Sequence, residues 1–492
     1  MRGSPPVLTP VTQNPIRPII PALLTTILAF IVYSLTVAPD LTWAYYGTDG
    51  GELITAAVTL GVPHPPGYPL YVILGKLVSV FPAGTVAFRF NLFSALCMAT
   101  AAGVIAGLVA ALLSSTPASL DSSQNDEEQR CRLTKTSVAL AAGLTFAFLP
   151  LVWQQAIIAE VYALNMLVVS VLLWSILQPS RSRSGWLPGL FLGLAVTTHL
   201  TSLLLAPLVL FRVGSSYRKY FVPATLTGLT PFLLLPLFAS TGSPVVWGSP
   251  HTFRGWWWLV TATIYRPNVF SLPADAWTAR LSAWAQHPTL WIAVALLALI
   301  LYHRQLLQRR LGLMNLLALA TVGLYLLYSF TYNAPDALVF TLPALALLCI
   351  LAGLTLQQVG PLLLFLPLAL LVLNFQYIDL SERTSGLALV EPALRVAPPN
   401  AIILTSGDRT TFTFWYLRHV KKQRQDVTVV DDNLLAFDWY RERLAAVDPS
   451  LKGLQSDDLW RFRKLNEQER PWCEIKLDSD DDVNVSCTEA QQ

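Results

Sequence analysis

From residue 19 to residue 377 the chain alternates long apolar runs with short polar breaks; beyond that it changes to a mixed pattern of ordinary soluble character. Apolar runs of roughly 18 residues or more can cross a hydrocarbon core of about 30 Å, and their repetition predicts a polytopic helical membrane protein. The runs cover residues 19–37, 88–113, 136–153, 161–177, 186–211, 221–239, 288–302, 311–330, 337–356 and 361–377. Residues 70–81, interrupted by Lys76, are too short to cross and fit a helix lying in the interface. Residues 114–135, with their DSSQNDEEQR segment, read as a flexible loop. After residue 380, NAIILTSGD predicts a strand ending in a turn, TTFTFWYLRHVKK a helix and DVTVVDD a second strand.

The run 186–211 decides the topology, because it fits either one tilted span or two short helices folded at His199. Cytosolic loops carry the excess of Lys and Arg. With the hairpin, thirteen Lys and Arg of the membrane region fall on one side against five, and with a single span the split is ten against eight. The hairpin is therefore expected, giving about eleven transmembrane helices. The first run follows Arg2 and Arg17 but lacks a small-residue cleavage site, so it reads as a retained span. The expected organisation is a membrane domain over residues 1–379, with a first outer loop at 38–87 and a long outer segment at 240–286. A small extracytoplasmic α/β domain over 380–477 follows, then a disordered acidic tail over 478–492. The expected location is the inner or plasma membrane, crossed many times.

Composition agrees with the pattern: 54% of residues are apolar and only 13% charged, which overrides the domain count that length alone would suggest. The net charge of +3 is spread out, with no basic stripe interleaved with aromatics, so nucleic acid is excluded as an expected partner. Cys97 and Cys349 fall in apolar runs and Cys131 in a polar loop; Cys473 and Cys487 can pair if their segment lies outside the cytosol.

Scarce charge makes its placement informative. The stretch YYGTDGGELITAAVTLGVPHPPGYPLY, Tyr45 to Tyr71, puts Asp49, Glu52 and His64 directly after the first span. Asp49 and Glu52 could form an N-capping pair, but a carboxylate at a membrane surface beside a histidine also suits proton abstraction from a substrate hydroxyl. The three prolines of HPPGYP hold a shape without a hydrogen-bond ladder. Lys76 and Arg89 read as headgroup anchors or as neutralisers of a phosphate. Glu160 and Tyr162 begin a span, and Glu160 there also fits a helix-start acid. His199 at membrane depth is expensive unless it pairs or faces a cavity. The Trp-rich segment VVWGSPHTFRGWWWLVTATIYRPNVF reads as an interfacial belt, with Tyr265 and Arg266 as the candidate phosphate clamp, and Asp336 in YNAPD completes the set. No His/Cys pattern has metal-ligand spacing, so no ligand set is assigned; a divalent metal is left open as a cofactor.

Carboxylates, histidines and arginines gathered on one membrane face suit a sugar that arrives on a lipid phosphate. An outer carboxylate would activate the acceptor, and basic groups would hold the leaving phosphate. The alternative class is a polytopic transporter or lipid flippase, which would be expected to carry internal repeats with matching broken helices.

The blocks DGGELITAAVTLGVPHPPGYPLYVILGKL, AEVYALN, GLFLGLAVTTHLTSL, WGSPHTFRGWWWLVTATIYR, YNAPD and NAIILTSGDRTTFTFWYL resemble the bacterial relatives of the lumenal protein O-mannosyltransferase that modifies IPT domains of plexin-type receptors. That family belongs to the GT-C superfamily, and the likeness runs to about Leu444. Gly50 stands where the family more often has Ser, Thr198 where it has Asn or similar, and Leu259 where His is frequent. The resemblance implies an all-α GT-C-like membrane fold with a cytosolic N-terminus and an acidic first outer loop. It also implies a dolichyl- or undecaprenyl-phosphate sugar as donor, but its acceptor specificity does not carry over; the expected reaction moves a sugar, mannose among the candidates, to an extracytoplasmic protein, glycan or lipid acceptor. On this likeness Asp49 becomes the base and Glu52 its support.

Overall fold

The computed structural model describes residues 18–114, 125–178, 185–302, 312–383, 385–477 and 483–488. Arg2, Arg17, Arg181, Arg183, Arg304, Arg309 and Arg310, which weighed in the charge count, lie outside the described residues. The first half runs α1 (Ile19–Thr36), α2 (Gly50–Thr59), α3 (Pro69–Ser79), α4 (Val86–Ser114), α5 (Asn125–Phe148), α6 (Pro150–Ala156) and α7 (Val161–Leu177). Then come α8 (Trp186–Thr198), α9 (Ala206–Arg212), α10 (Arg218–Leu229), α11 (Leu235–Ala239), α12 (Phe253–Val260), α13 (Trp277–Gln286) and α14 (Pro288–Tyr302). The bundle closes with α15 (Gly312–Thr331), α16 (Leu342–Thr355) and α17 (Phe365–Ile378).

Six helices among the described residues are long and apolar enough to cross a membrane, and eight if each of two bent pairs is one span. One bend, of 68°, falls at Pro150 between α5 and α6, where proline cannot donate to the preceding turn; the other, of 84°, precedes Pro288. Helix α5 reaches back to Asn125, into the segment expected to be loop, because an apolar span already nucleated is extended cheaply by polar helix formers. Residues 115–124 of that segment lie outside the described residues. Helices α4 and α16 are the buried centre, whereas α1 and α17 keep Leu35 and Leu373 exposed, as lipid-facing helices must. Small residues allow the close seams: a Cβ on Gly103 would come within 2.6 Å of Ala22 O on α1.

The run 186–211 folds at His199. Gly189 and Gly193 of α8 press on the α10 backbone at Phe221 and Thr225, so α8 and α10 run parallel and α9 must return between them. Asn165 of α7 clasps the turn, donating to Ala195 O, Thr198 Oγ1 and Ser202 Oγ at 3.1, 2.8 and 2.8 Å. At the other end, Arg212 Nε donates to Ile176 O at 2.7 Å. The freed backbone groups of a broken helix are thereby enclosed by protein.

After α18 (Ser385–Val396) comes a four-stranded sheet of order β2-β1-β3-β4, built from β1 (Ile402–Thr405), β2 (Thr428–Asp431), β3 (Trp472–Leu477) and β4 (Val483–Thr488). β1 pairs in parallel with β2 and β3, and β4 is antiparallel to β3. Helix α19 (Asp408–Trp415) follows β1. The strand, helix and second strand expected after residue 400 are present. The disordered tail is not, over Val483–Thr488: alternating Val483, Val485 and Cys487 pair with β3, and a disulfide joins Cys473 to Cys487, its register partner. Residues 478–482 and 489–492 lie outside the described residues. This unit sits against the start of α2. Trp43 Nε1 donates to Thr413 Oγ1 at 3.0 Å, Tyr416 OH to Asp40 Oδ1 at 3.0 Å, and Lys421 pairs with Asp40 at 3.1 Å.

Candidate active site

Polar groups from separate segments converge on one cavity of about 570 Å³ at the end of the bundle where α2 begins. Asp49 occupies the N-cap position of α2 but makes no side-chain capping bond, so the first turn does not consume it. Glu52, fully buried, does not cap either. Its Oε1 accepts from the His64 backbone N–H at 3.1 Å and its Oε2 lies 2.5 Å from His64 Nδ1. The other ring nitrogen, Nε2, is 3.2 Å from Tyr68 OH and 3.7 Å from Asp49 Oδ2. The imidazole is thus pinned from behind by Glu52 and faces Asp49, whose side chain is 32% accessible from the cavity. Tyr68 ends the proline-rich turn at φ 37°, a left-handed conformation that costs a residue with a side chain about 1–3 kcal/mol and is sustained by the packing around it.

Charge follows from this geometry. Burial alone would drive His64 neutral, but the Glu52 and Asp49 carboxylates more than offset it and lift its pKa to about 10. Burial raises the carboxyl of Asp49 to about 6, with the His64 cation pulling against the rise, and burial also raises Glu52. At neutral pH the centre is an imidazolium between two acids.

The remaining walls carry most of the other expected residues. Glu160, just before α7, is buried, has one oxygen without a partner and is held well above the usual carboxylate range by burial and then by Asp49. Tyr162 donates to Asp336 Oδ2 at 3.3 Å, and burial raises Asp336 as well. His199 lies between Tyr162 and Phe340, ring centroids 5.2 and 5.3 Å away, with Nδ1 2.7 Å from Thr201 Oγ1. Tyr265 and Arg266 come from the turn Thr263–Asn268, which starts after Ala262 at φ 45°; the Tyr265 ring is 6.3 Å from His64.

Three expected residues are not brought to the cavity wall. Glu52 stands behind His64, with no accessible surface. Lys76 donates to Val58 O at 2.5 Å, and Arg89 spends Nε, Nη1 and Nη2 on Ala83 O, Ser79 O and Gly84 O, which stitches the α3 to α4 turn. Conversely, the sequence reading missed Tyr68, Trp247, Asp408 and Arg409, all of which line the cavity. Asp408 keeps accessible surface because it faces the opening, yet protein walls surround it and raise its carboxyl to about 7, with Asp49 adding to the rise. Its signal was present: an acid directly after a strand and its Gly407 turn. Among the described residues no three His, Cys, Asp or Glu side chains group as a metal site.

Two family models match the chain: "Protein O-mannosyl-transferase TMEM260 N-terminal domain" over residues 49–219 and "TMEM260-associated domain 2" over residues 388–450. The chain is 28% identical to Protein O-mannosyl-transferase TMEM260 of Mus musculus over 518 aligned residues, covering 92% of this chain and 70% of the mouse protein. It is 27% identical to Protein O-mannosyl-transferase tmem260 of Dictyostelium discoideum, over 46% of this chain and 28% of that one. Its fold is similar to the crystal structure of ArnT from Cupriavidus metallidurans bound to undecaprenyl phosphate, at a TM-score of 0.58, 13% identity and 92% coverage of both chains. The chain is thus similar to proteins named as O-mannosyl-transferases and shares the fold of ArnT. The comparisons support a glycosyltransferase. The first family match begins at Asp49 itself, and the second contains Asp408, so the two matched segments meet across the cavity.

Proposed function

We propose that the chain transfers a sugar, mannose in the first instance, from a polyprenyl phosphate to a hydroxyl of an extracytoplasmic protein, glycan or lipid acceptor. The observation that carries this reading is the cavity, which joins an accessible carboxylate, cationic groups and aromatic walls at one end of an apolar bundle. Asp49 takes the proton of the acceptor hydroxyl; the acceptor oxygen attacks the anomeric carbon as its bond to the phosphate oxygen breaks, inverting that centre and releasing the lipid phosphate. His64, fixed by Glu52, holds Asp49 in its ionised form. Arg266, aided by His199, Tyr162 and Tyr265, accepts the departing phosphate, and Glu160 and Asp336 bind substrate hydroxyls. Undecaprenyl phosphate bound to ArnT supports the lipid class of the donor.

In this reading the bundle has eleven crossings, counting eight long or bent spans with α7, α8 and the Leu200–Arg212 helix, and comprises residues 1–379. The cavity and the α/β unit, residues 380–477, lie outside the cytosol, which the Cys473–Cys487 disulfide supports. The test is incubation of the purified full chain with a panel of polyprenyl-phosphate sugars and a hydroxyl acceptor. Release of lipid phosphate with sugar transfer is expected; movement of the lipid across sealed vesicles without bond cleavage would overturn the reading in favour of a flippase.

A further inference from the structure

The strand order β2-β1-β3 reverses at β1, so the carboxyl end of β1 is a switch point of the kind that leaves a crevice for a ligand in α/β units. Here that crevice does not face solvent alone. Gly407 turns the chain at φ 84°, and Asp408 and Arg409 open into the membrane cavity that holds Asp49. The placement is held tightly, because the first turn of α2 touches α19 backbone to backbone: a Cβ on Gly51 would come within 2.4 Å of Phe412 O. The same cavity is also lined by Trp247, whose ring lies against Trp439 at 5.3 Å, tilted by 36°, and whose buried indole N–H has no partner in the protein. A carboxyl and an aromatic ring lining one cavity are the groups that grip a pyranose: adjacent hydroxyls bond the carboxyl, and the C–H face lies on the ring.

We propose that Asp408, supplied by the α/β unit, binds hydroxyls of the sugar to be transferred and so makes that unit part of the donor site. This assignment rests on the glycosyltransferase reading above. The lipid tail and phosphate are then held by the bundle, and the sugar by the α/β unit. The two halves of the donor can therefore be uncoupled by substitution.

The test measures binding of undecaprenyl-phosphate mannose and of bare undecaprenyl phosphate to the full chain in detergent, for wild type, Asp408→Ala and Asp408→Asn. Loss of a hydrogen bond to a charged group should weaken the sugar-bearing lipid about tenfold in Asp408→Ala, less in Asp408→Asn, and leave bare lipid phosphate unchanged. Equal weakening of both lipids, or of neither, would overturn the role of Asp408 while leaving the function standing. Failure of the wild type to bind either lipid would overturn both. Thermal unfolding of each variant identifies one that has merely lost its fold, and Asp408→Asn, which keeps the shape, then carries the comparison.

Discussion

Two acids reach the cavity from opposite ends of the chain, and both stand at a helix start. Asp49 heads α2 and Asp408 heads α19, and the two helices touch where Gly51 meets Phe412. Their surroundings differ. Asp49 faces a histidine that is itself anchored at two points by a fully buried glutamate, whereas Asp408 has only a turn of backbone behind it and an open cavity ahead. The first arrangement fixes an ionisation state and a direction, as proton transfer requires. The second leaves a carboxyl free to match a ligand. The contrast teaches that one residue type at one local position can be committed to chemistry or to recognition by what stands behind it.

The most severe way to break the contrast is Asp49→Asn. The variant should keep its melting temperature but lose about a thousandfold in kcat for lipid-phosphate release, since general-base contributions run to 10²–10⁴. Glu52→Gln comes next, with about a hundredfold loss in kcat and, unlike Asp49→Asn, a stability loss of about 3 kcal/mol in denaturant unfolding, because it strands the buried His64 cation. Gly51→Ala should act on both sides at once by pushing α19 away, costing about tenfold in kcat/KM with the chain still folded. The pH profile sharpens the picture further. Activity should fall below about pH 6 as Asp49 takes up a proton, and in a His64→Gln variant that limb should move to higher pH, since the cation that favours the carboxylate is gone. Arg89→Gln should be the mildest, changing turnover less than about threefold while losing about 1 kcal/mol of stability from the carbonyl bonds it makes.

The membrane half was legible because its chemistry stands out against an apolar background. Asp49, His64, Glu160, His199 and Asp336 could be picked out by charge alone, and the Lys and Arg bias already favoured the fold at His199. What composition could not supply was direction. Arg89 looked as available as Arg266, yet three carbonyls of a nearby turn occupy it. Asp408 was hidden for the opposite reason: in a segment of ordinary polarity one more aspartate carries no contrast, and only the packing of α19 on Gly51 brings it to the cavity. The strand at Val483–Thr488 was masked similarly, its alternation lying inside an acidic stretch whose charge argued for disorder.

The rings of Phe253 and Trp257 on α12 are 77% and 51% exposed and stack on one another, a few residues ahead of Tyr265 and Arg266. Exposed aromatics of this kind settle at the level of the lipid headgroups and act as a plumb line for the whole molecule. The mouth of the cavity is therefore moored at a fixed height, where, under the proposed transfer, an oily anchor can stay below while a water-borne hydroxyl descends from above. Neither reactant has to leave the medium that dissolves it.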